Sequence, residues 1–332
     1  MYIPANSLDD LLMQVYKKLL KGRTRINPTK GAAVEMSGVL LKIANPRARL
    51  SRAETRSTLF TCLGEFMWYL AGSNSLDFIK YYIPMYTEFS DNGRTIHGGY
   101  GPRLFGKEER AQVSTVIQIL KRKFESRQAV IQLFDAADLL EAHKDIPCTC
   151  TIQFLLRRGK LDMIVSMRSN DAFKGLPHDV FSFTMLQEIV ARSVGAELGW
   201  YKHVVGSLHL YDENRAEAER YVGEGWQETV AMDSMPKGDP SLALSSLRRM
   251  EKKIRSGQDF DVRELELDPY WADIIRILQI FKFTKEDGML NRVPVLKRQM
   301  VSKVYAPYIT KRHRSRLEKS APAQLDLFPD GE

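Results

Sequence analysis

Cys148, in the segment IPCTCTIQF, directly follows Pro147 at the start of a stretch that reads as a strand, so a rigid element would present its sulfur to a cleft. Such a thiol is either a nucleophile, if a nearby positive charge lets it ionise, or a small buried hydrophobe. Glu65 is the second anomaly, because Leu63, Phe66, Met67, Trp68 and Leu70 leave its helix almost no polar face. A carboxylate buried there would carry protons near neutrality. Tyr100 lies in HGGYG, where glycines let a ligand approach the backbone, and His209 and Tyr211 share one strand face by their spacing of two. Three cysteines, Cys62, Cys148 and Cys150, are too few for a disulfide framework and read as free thiols. The sequence contains no metal-ligand cluster, phosphate loop or dinucleotide fingerprint.

The elements that must position these residues follow from periodicity and punctuation. Ser7 caps an amphipathic helix, LDDLLMQVYKKLLKG, that stops at Gly22, with Asp10 near its positive end. Residues 54–71 form a second, buried helical stretch ending at Gly72, whereas 81–106, dense in Tyr, Gly and Pro, read as an irregular loop region. A helix over 111–124, a strand over 129–135 and a hairpin of 150–156 with 161–168 around Arg158-Gly159 come next. Leu186, Ile189, Val190 and Val194 mark a helix face closed by Gly195. After residue 235 the texture becomes charged and helical, in SLALSSLRRMEKKIRS and PYWADIIRILQIFKF. From Arg316 the chain is polar, aperiodic and punctuated by Pro322 and Pro329, which predicts disorder.

With 332 residues, 44% of them apolar, the chain can bury a full core. It has neither an 18-residue apolar run nor a secretory signal at its start, so no membrane association and a cytoplasmic location are expected. The net charge of +8 suits an anionic partner, although a nucleotide phosphate needs only a few of these charges.

The Pro-Cys pair, the segment MRSNDAFKGLPHDVFSF about 20 residues on and the later GSLHLYDEN together resemble the signature region of the thymidylate synthase family, which includes the deoxycytidylate hydroxymethylases. The resemblance covers residues 8 to 220 and is strongest from 145 to 214. It implies an α+β fold, a twisted sheet flanked by helices, here with a C-terminal helical extension, and a homodimer packed sheet on sheet. It also implies that Cys148 attacks C6 of a pyrimidine nucleoside monophosphate, making C5 nucleophilic toward the one-carbon unit of 5,10-methylenetetrahydrofolate. On the same grounds Arg168 supplies positive charge to the thiolate and, with Ser169, holds the phosphate, while Arg127 reaches the phosphate across the dimer interface. Glu65 and Tyr100 would move protons, His209 and Tyr211 would contact the sugar, and Asp171, Gly175 and Tyr86 would lie at the folate.

Several positions depart from that pattern. Gln128 stands where the family usually has a second arginine, and Lys30 replaces an arginine in the N-terminal loop with a point charge. Asp179 replaces the asparagine that reads the pyrimidine edge. An ionised carboxylate only accepts hydrogen bonds, so it favours the N4 amino group of cytosine over uracil, as in the deoxycytidylate hydroxymethylases. Tyr86 and Phe89 stand where the synthases have two tryptophans, which would admit water and give a hydroxymethyl product. The expectation is therefore hydroxymethylation of a cytosine nucleotide, dCMP first. The enzymatic alternatives are a CMP hydroxymethylase, a dCMP methylase and a synthase acting on dUMP. A noncatalytic nucleotide or RNA binder on the same scaffold would have no need of the thiol. The expected organisation is a catalytic domain over 1–235, a helical extension over 236–316 and a disordered tail over 317–332. In that tail, Gln324 to Phe328 (QLDLF) resembles a peptide that binds the replication sliding clamp.

Overall fold

The structure is a computed structural model that describes residues 1–106, 111–286 and 288–320. Its fold is α+β, as expected: one mixed seven-stranded sheet with helices on one face. The strands are β1 (Tyr2–Ala5), β2 (Arg25–Ile26), β3 (Ala33–Ile43), β4 (Val130–Gln132), β5 (Thr149–Arg157), β6 (Lys160–Asp171) and β7 (Glu197–Tyr211), in the order β1-β3-β7-β6-β5-β4, with β2 beside β3. β6 and β7 run parallel while β5 and β6 run antiparallel, and the β5–β6 ladder begins at Thr149, the residue after Cys148. Arg158 (φ 50°) and Gly159 (φ 72°) make the two-residue turn between β5 and β6, both left-handed as a tight hairpin requires.

Helix α1 (Leu8–Leu20) starts at Ser7, whose hydroxyl accepts from the Asp10 amide at 3.1 Å. Helix α2 (Leu59–Leu70) is buried along nearly its whole length. Gly64 makes this possible, since a Cβ there would lie 2.2 Å from the Tyr82 ring, so only glycine lets α3 (Leu76–Tyr82) lie against α2. The expected helical residues 54–58 are instead a loop. The Glu224 carboxylate binds the amides of Glu54 (2.6 Å) and Thr55 (2.8 Å), and Arg56 stacks 4.5 Å over Phe173. The stretch 81–106 is less irregular than its composition predicted: a 3-10 turn at Pro84–Phe89 and helix α4 (Gly101–Phe105) follow α3. Helix α5 (Gln112–Arg122) matches the sequence reading, but β4 is shorter than 129–135, because the amides of Leu133 and Phe134 converge on the single Cys150 carbonyl and end the ladder.

Helix α6 (Leu176–Ser193) is the central helix, with even Gln187 and Glu188 out of solvent. Glu188 is paired with Arg49 and with Arg47 (2.7 Å) and accepts from the Met235 amide at 3.0 Å. Burial opposes its charge, yet Arg49 and Arg47 hold the carboxyl below the usual range. Helix α7 (Arg215–Gly223) packs on α1. Beyond it, α8 (Ser241–Arg255) and α9 (Pro269–Phe283) pack on each other and on α2. Phe281 contacts the rings of Phe60, Tyr81 and Tyr82, and the Tyr82 hydroxyl donates to Glu251 at 2.9 Å, so the charged helices share the core. After α10 (Val293–Gln299), helix α11 (Ala306–Ser320) continues past Arg316, so residues 316–320 are helical rather than part of a disordered tail. Gln324 to Phe328 lie outside the described residues. No described helix is long and apolar enough to cross a membrane.

Candidate active site

Cys148 sits at the point where β5 begins, half-buried. The Arg168 amide donates to the Cys148 carbonyl at 2.9 Å, and its guanidinium bonds the carbonyls of Pro147 (3.1 Å) and Ile146 (3.0 Å). Arg168 therefore holds the chain leading to the cysteine while remaining exposed enough to meet an anion. Burial pushes the Cys148 thiol up to about 11. Arg168 and Lys30 pull it down, and Asp145 and Asp179 push it further up. One arginine does not offset burial beside two carboxyl groups, so the thiol, not the thiolate, is favoured at rest.

The acids come from α2 and α6. Glu65, 6% exposed, takes the Tyr86 hydroxyl as a hydrogen-bond donor, so the 3-10 turn after α3 and the buried helix meet at one carboxylate. Tyr100 is buried against Tyr69 and Phe183, and its hydroxyl oxygen accepts from the Thr149 amide (3.2 Å) and Thr149 Oγ1 (3.0 Å), one residue from Cys148. Asp179, in the first turn of α6, accepts from Asn170 Nδ2 at 2.6 Å. Burial raises its carboxyl to about 7, Glu65 adding to the rise and Asn170 and His178 opposing it. Asp179 thus exists near neutrality as both acid and carboxylate, which the sequence argument, treating it as an acceptor only, did not allow for.

Across β6 and β7, Ser169 pairs in register with Ser207 and Asp171 with His209. His209 and Tyr211 meet edge to face at 4.8 Å, as their spacing predicted. Asp171 Oδ1 receives the amides of Phe173 (2.8 Å) and Lys174 (3.0 Å), shaping the turn into α6, and no described donor reaches Oδ2. Gly175 keeps that turn tight, since a Cβ would lie 3.1 Å from the Asp171 carbonyl. Lys30 lies 4.0 Å over the Phe89 ring, on the same side as Cys148 and Asp145. Arg127 is the one expected residue that a single chain does not bring to this cluster: it is exposed beside β4, with its carbonyl bonded by Gln153 Nε2 at 3.1 Å. Sequence reasoning missed Asn170, the partner of Asp179, and Asp145. Asn170 lies within the segment already singled out, but only the fold turns it toward α6. A concavity of about 690 Å³ lies at the hairpin end of the sheet among Lys42, Arg157, Arg158, Lys160 and Trp200.

A cysteine at the start of a strand in a mixed sheet, beside an arginine, buried carboxyl groups and a tyrosine, is an arrangement suited to adding sulfur to an electron-poor ring. The chain belongs to the thymidylate synthase family, whose model matches residues 10–273. That match reaches beyond 220, where the resemblance was expected to end, and into α9. The chain is 37% identical over 164 residues to the deoxyuridylate hydroxymethyltransferase of Pseudomonas phage M6, covering 48% of this chain and 47% of that protein. Identity to the deoxyuridylate hydroxymethyltransferase of Delftia phage PhiW-14 is 30% over 195 residues, 54% of each chain. For the protein of that name from Bacillus phage SP01 it is 29% over 215 residues, 60% of this chain and 56% of that one. The chain spans about half the length of the curated relatives it matches.

Proposed function

We propose that the protein transfers a hydroxymethyl group to C5 of deoxyuridylate. Cytosine was the sequence-based expectation; the relatives, named for deoxyuridylate, favour uracil instead. The observation that carries the base assignment is the burial of Asp179, which brings its carboxyl to about 7. A protonated carboxyl donates through one oxygen and accepts through the other, so it can donate to uracil O4 and accept from N3–H as an amide does. Oδ2, already held by Asn170, is the accepting side. Ionised, the same group would suit cytosine, and that reading survives only at higher pH.

Cys148 adds to C6 and loses its proton as it does so. Arg168, Ser169 and Lys30 bind the phosphate from the same chain. Arg127 joins them from a second copy stacked on the sheet face that carries half-buried Leu40, Leu155, Ile164 and Val204. His209 and Tyr211 contact the sugar. Glu65, held by Tyr86, and Tyr100, held by Thr149, move protons at the base. The residues present fit 5,10-methylenetetrahydrofolate: Trp68, Tyr86 and Phe89 form an aromatic wall with ring centroids 5.5 and 5.6 Å apart, and Asp171, whose Oδ2 no described donor reaches, would hold the folate with Gly175. When bound, that group supplies a one-carbon unit at the oxidation level of formaldehyde. The tail segment Gln324 to Phe328 remains a proposed sliding-clamp ligand.

The test is to incubate the enzyme and methylenetetrahydrofolate with dUMP, dCMP or CMP and identify the product by mass. The expected result is 5-hydroxymethyl-dUMP with no rise in dihydrofolate absorbance. A methylated product with stoichiometric dihydrofolate identifies a synthase, and turnover of dCMP alone overturns the base assignment.

A further inference from the structure

Asp145 lies three residues before Cys148, outside the motifs that carry the family resemblance. Its carboxylate fills the space that Gly98 leaves open, since a Cβ at Gly98 would lie 2.3 Å from Asp145 Oδ2. It is half-buried, and no described donor hydrogen-bonds it. The charged and titratable groups facing it are Lys30 from the N-terminal loop, Arg168 from β6, His97 from the loop before α4, and Glu65 from α2, with Tyr86 and Cys148 feeling its charge in turn. Burial raises its carboxyl to about 6, Lys30, Arg168 and His97 holding back the rise and Glu65 adding to it.

The other groups that could take a proton here are engaged. Glu65 receives Tyr86, Asp179 receives Asn170, and the Tyr100 oxygen receives Thr149. Glu65 and Asp179 each keep one oxygen free, but Asp145 is the carboxyl group among them that no described donor hydrogen-bonds at either oxygen, and Cys148 and Tyr86 both feel its charge.

We propose that Asp145 is the general base that deprotonates the water whose oxygen becomes the product hydroxyl, a role that rests on the hydroxymethyl transfer proposed above. With Cys148 bonded to C6 and a methylene carbon double-bonded to C5, the water oxygen adds to the methylene carbon and its proton passes to Asp145. The electron pair of that double bond moves onto the C5–C4–O4 unit as an enolate. When the C5=C6 bond re-forms, the sulfur of Cys148 leaves with its bonding pair, and Asp145 returns its proton to solvent. The step consumes water and needs no oxidant or reductant.

The test compares the full-length protein with Asp145→Asn and Asp145→Ala. The covalent adduct that Cys148 forms with 5-fluoro-dUMP and methylenetetrahydrofolate precedes the water step, so its yield should stay within about twofold, whereas hydroxymethyl product should fall about a hundredfold. Added 2-mercaptoethanol, which needs no base at neutral pH, should be captured at the methylene carbon in Asp145→Asn and appear as a thioether by mass. The wild-type hydroxymethyl rate should rise with pH through about 6 as Asp145 ionises, and Asp145→Asn should lose that limb. Formate should partly restore product in Asp145→Ala, which keeps the question open to test should the asparagine variant fold poorly. Unchanged hydroxymethyl formation in Asp145→Asn overturns the proposal, as does loss of the fluoro adduct with nucleotide binding intact, because that places Asp145 at the first step. Failure of formate to rescue counts against it as well. If the wild-type protein makes no hydroxymethyl product, the underlying reading fails first, and that result is distinct from all of these.

Discussion

The two walls of the site are built differently. One wall is sheet: Cys148, Arg168, Ser169, His209 and Tyr211 stand at or beside β5, β6 and β7, whose ladders fix the backbone, with a register shift between Thr149 and Thr151 beside the cysteine. The other wall is turns and loops: Lys30, Tyr86, Phe89, Gly98 and Tyr100 lie on short or irregular segments, with Asp179 at the start of a helix beyond them. Residues that match the family resemblance occur on both walls, Glu65 and Tyr100 among those off the sheet, whereas the departures Lys30, Tyr86, Phe89 and Asp179 are all off it. A ladder holds a nucleophile and its arginine to a fraction of an ångström, whereas a turn accepts a new side chain without moving them. In the proposed reaction, the sheet wall sets the first bond to the pyrimidine, and the other wall decides which base enters and what leaves.

If that division holds, variants on the two walls fail at different steps. Cys148→Ser should have the largest effect, lowering turnover about a thousandfold or more, because a hydroxyl ionises far less readily than a thiol. Isothermal titration should show nucleotide affinity near wild type, and the fluoro-nucleotide adduct should vanish. Tyr86→Phe removes the hydrogen bond to Glu65 and should lower kcat about tenfold to a hundredfold, as for a bond to a charged group, while the adduct still forms. Loss of the adduct in Tyr86→Phe would show that the two walls are not separable.

Base choice tests the same division at smaller amplitude. Asp179 is protonated below about 7, so dUMP turnover should be best there and fall as the group ionises, with dCMP gaining on it at higher pH. Asp179→Asn keeps a donor at all pH and should remove this dependence, favouring dUMP over dCMP about tenfold to a hundredfold above pH 8. Competition assays with both nucleotides between pH 6 and 9 read the ratio directly. A ratio independent of pH in the wild type would mean that Asp179 does not change charge in the complex.

Local features were legible in the sequence because their causes are local. The Ser7 cap, the Arg158-Gly159 turn and the i, i+2 placement of His209 and Tyr211 all follow from neighbouring residues. What could not be read depends on partners far along the chain. The start of α2 moved to Leu59 because Glu224, some 170 residues away, takes the amides of Glu54 and Thr55. The states of Cys148 and Asp179 follow from burial and from each other's neighbours, which no motif encodes. Asp145 escaped notice because an aspartate in a polar stretch such as HKDIPC is ordinary until Gly98 and Lys30 are folded against it.

Lys30 should give the smallest effect and the sharpest comparison with Arg168. In the absence of ligand its ammonium rests on the Phe89 ring, a contact worth about 0.5–1 kcal/mol at an exposed site, which a phosphate must displace or share. Arg168 needs no such move, because its guanidinium is already fixed by the carbonyls of Ile146 and Pro147. Lysine also offers a point charge rather than a bidentate fork, and its loop position leaves it screened by salt. Lys30→Ala should therefore raise KM for the nucleotide about threefold to fivefold with kcat nearly unchanged, an effect of roughly 1 kcal/mol that shrinks in high salt. Lys30→Arg should restore or improve KM. A drop in kcat as large as that of Tyr86→Phe would place Lys30 in the chemistry rather than in binding, and the loop wall would then share the work assigned to the sheet.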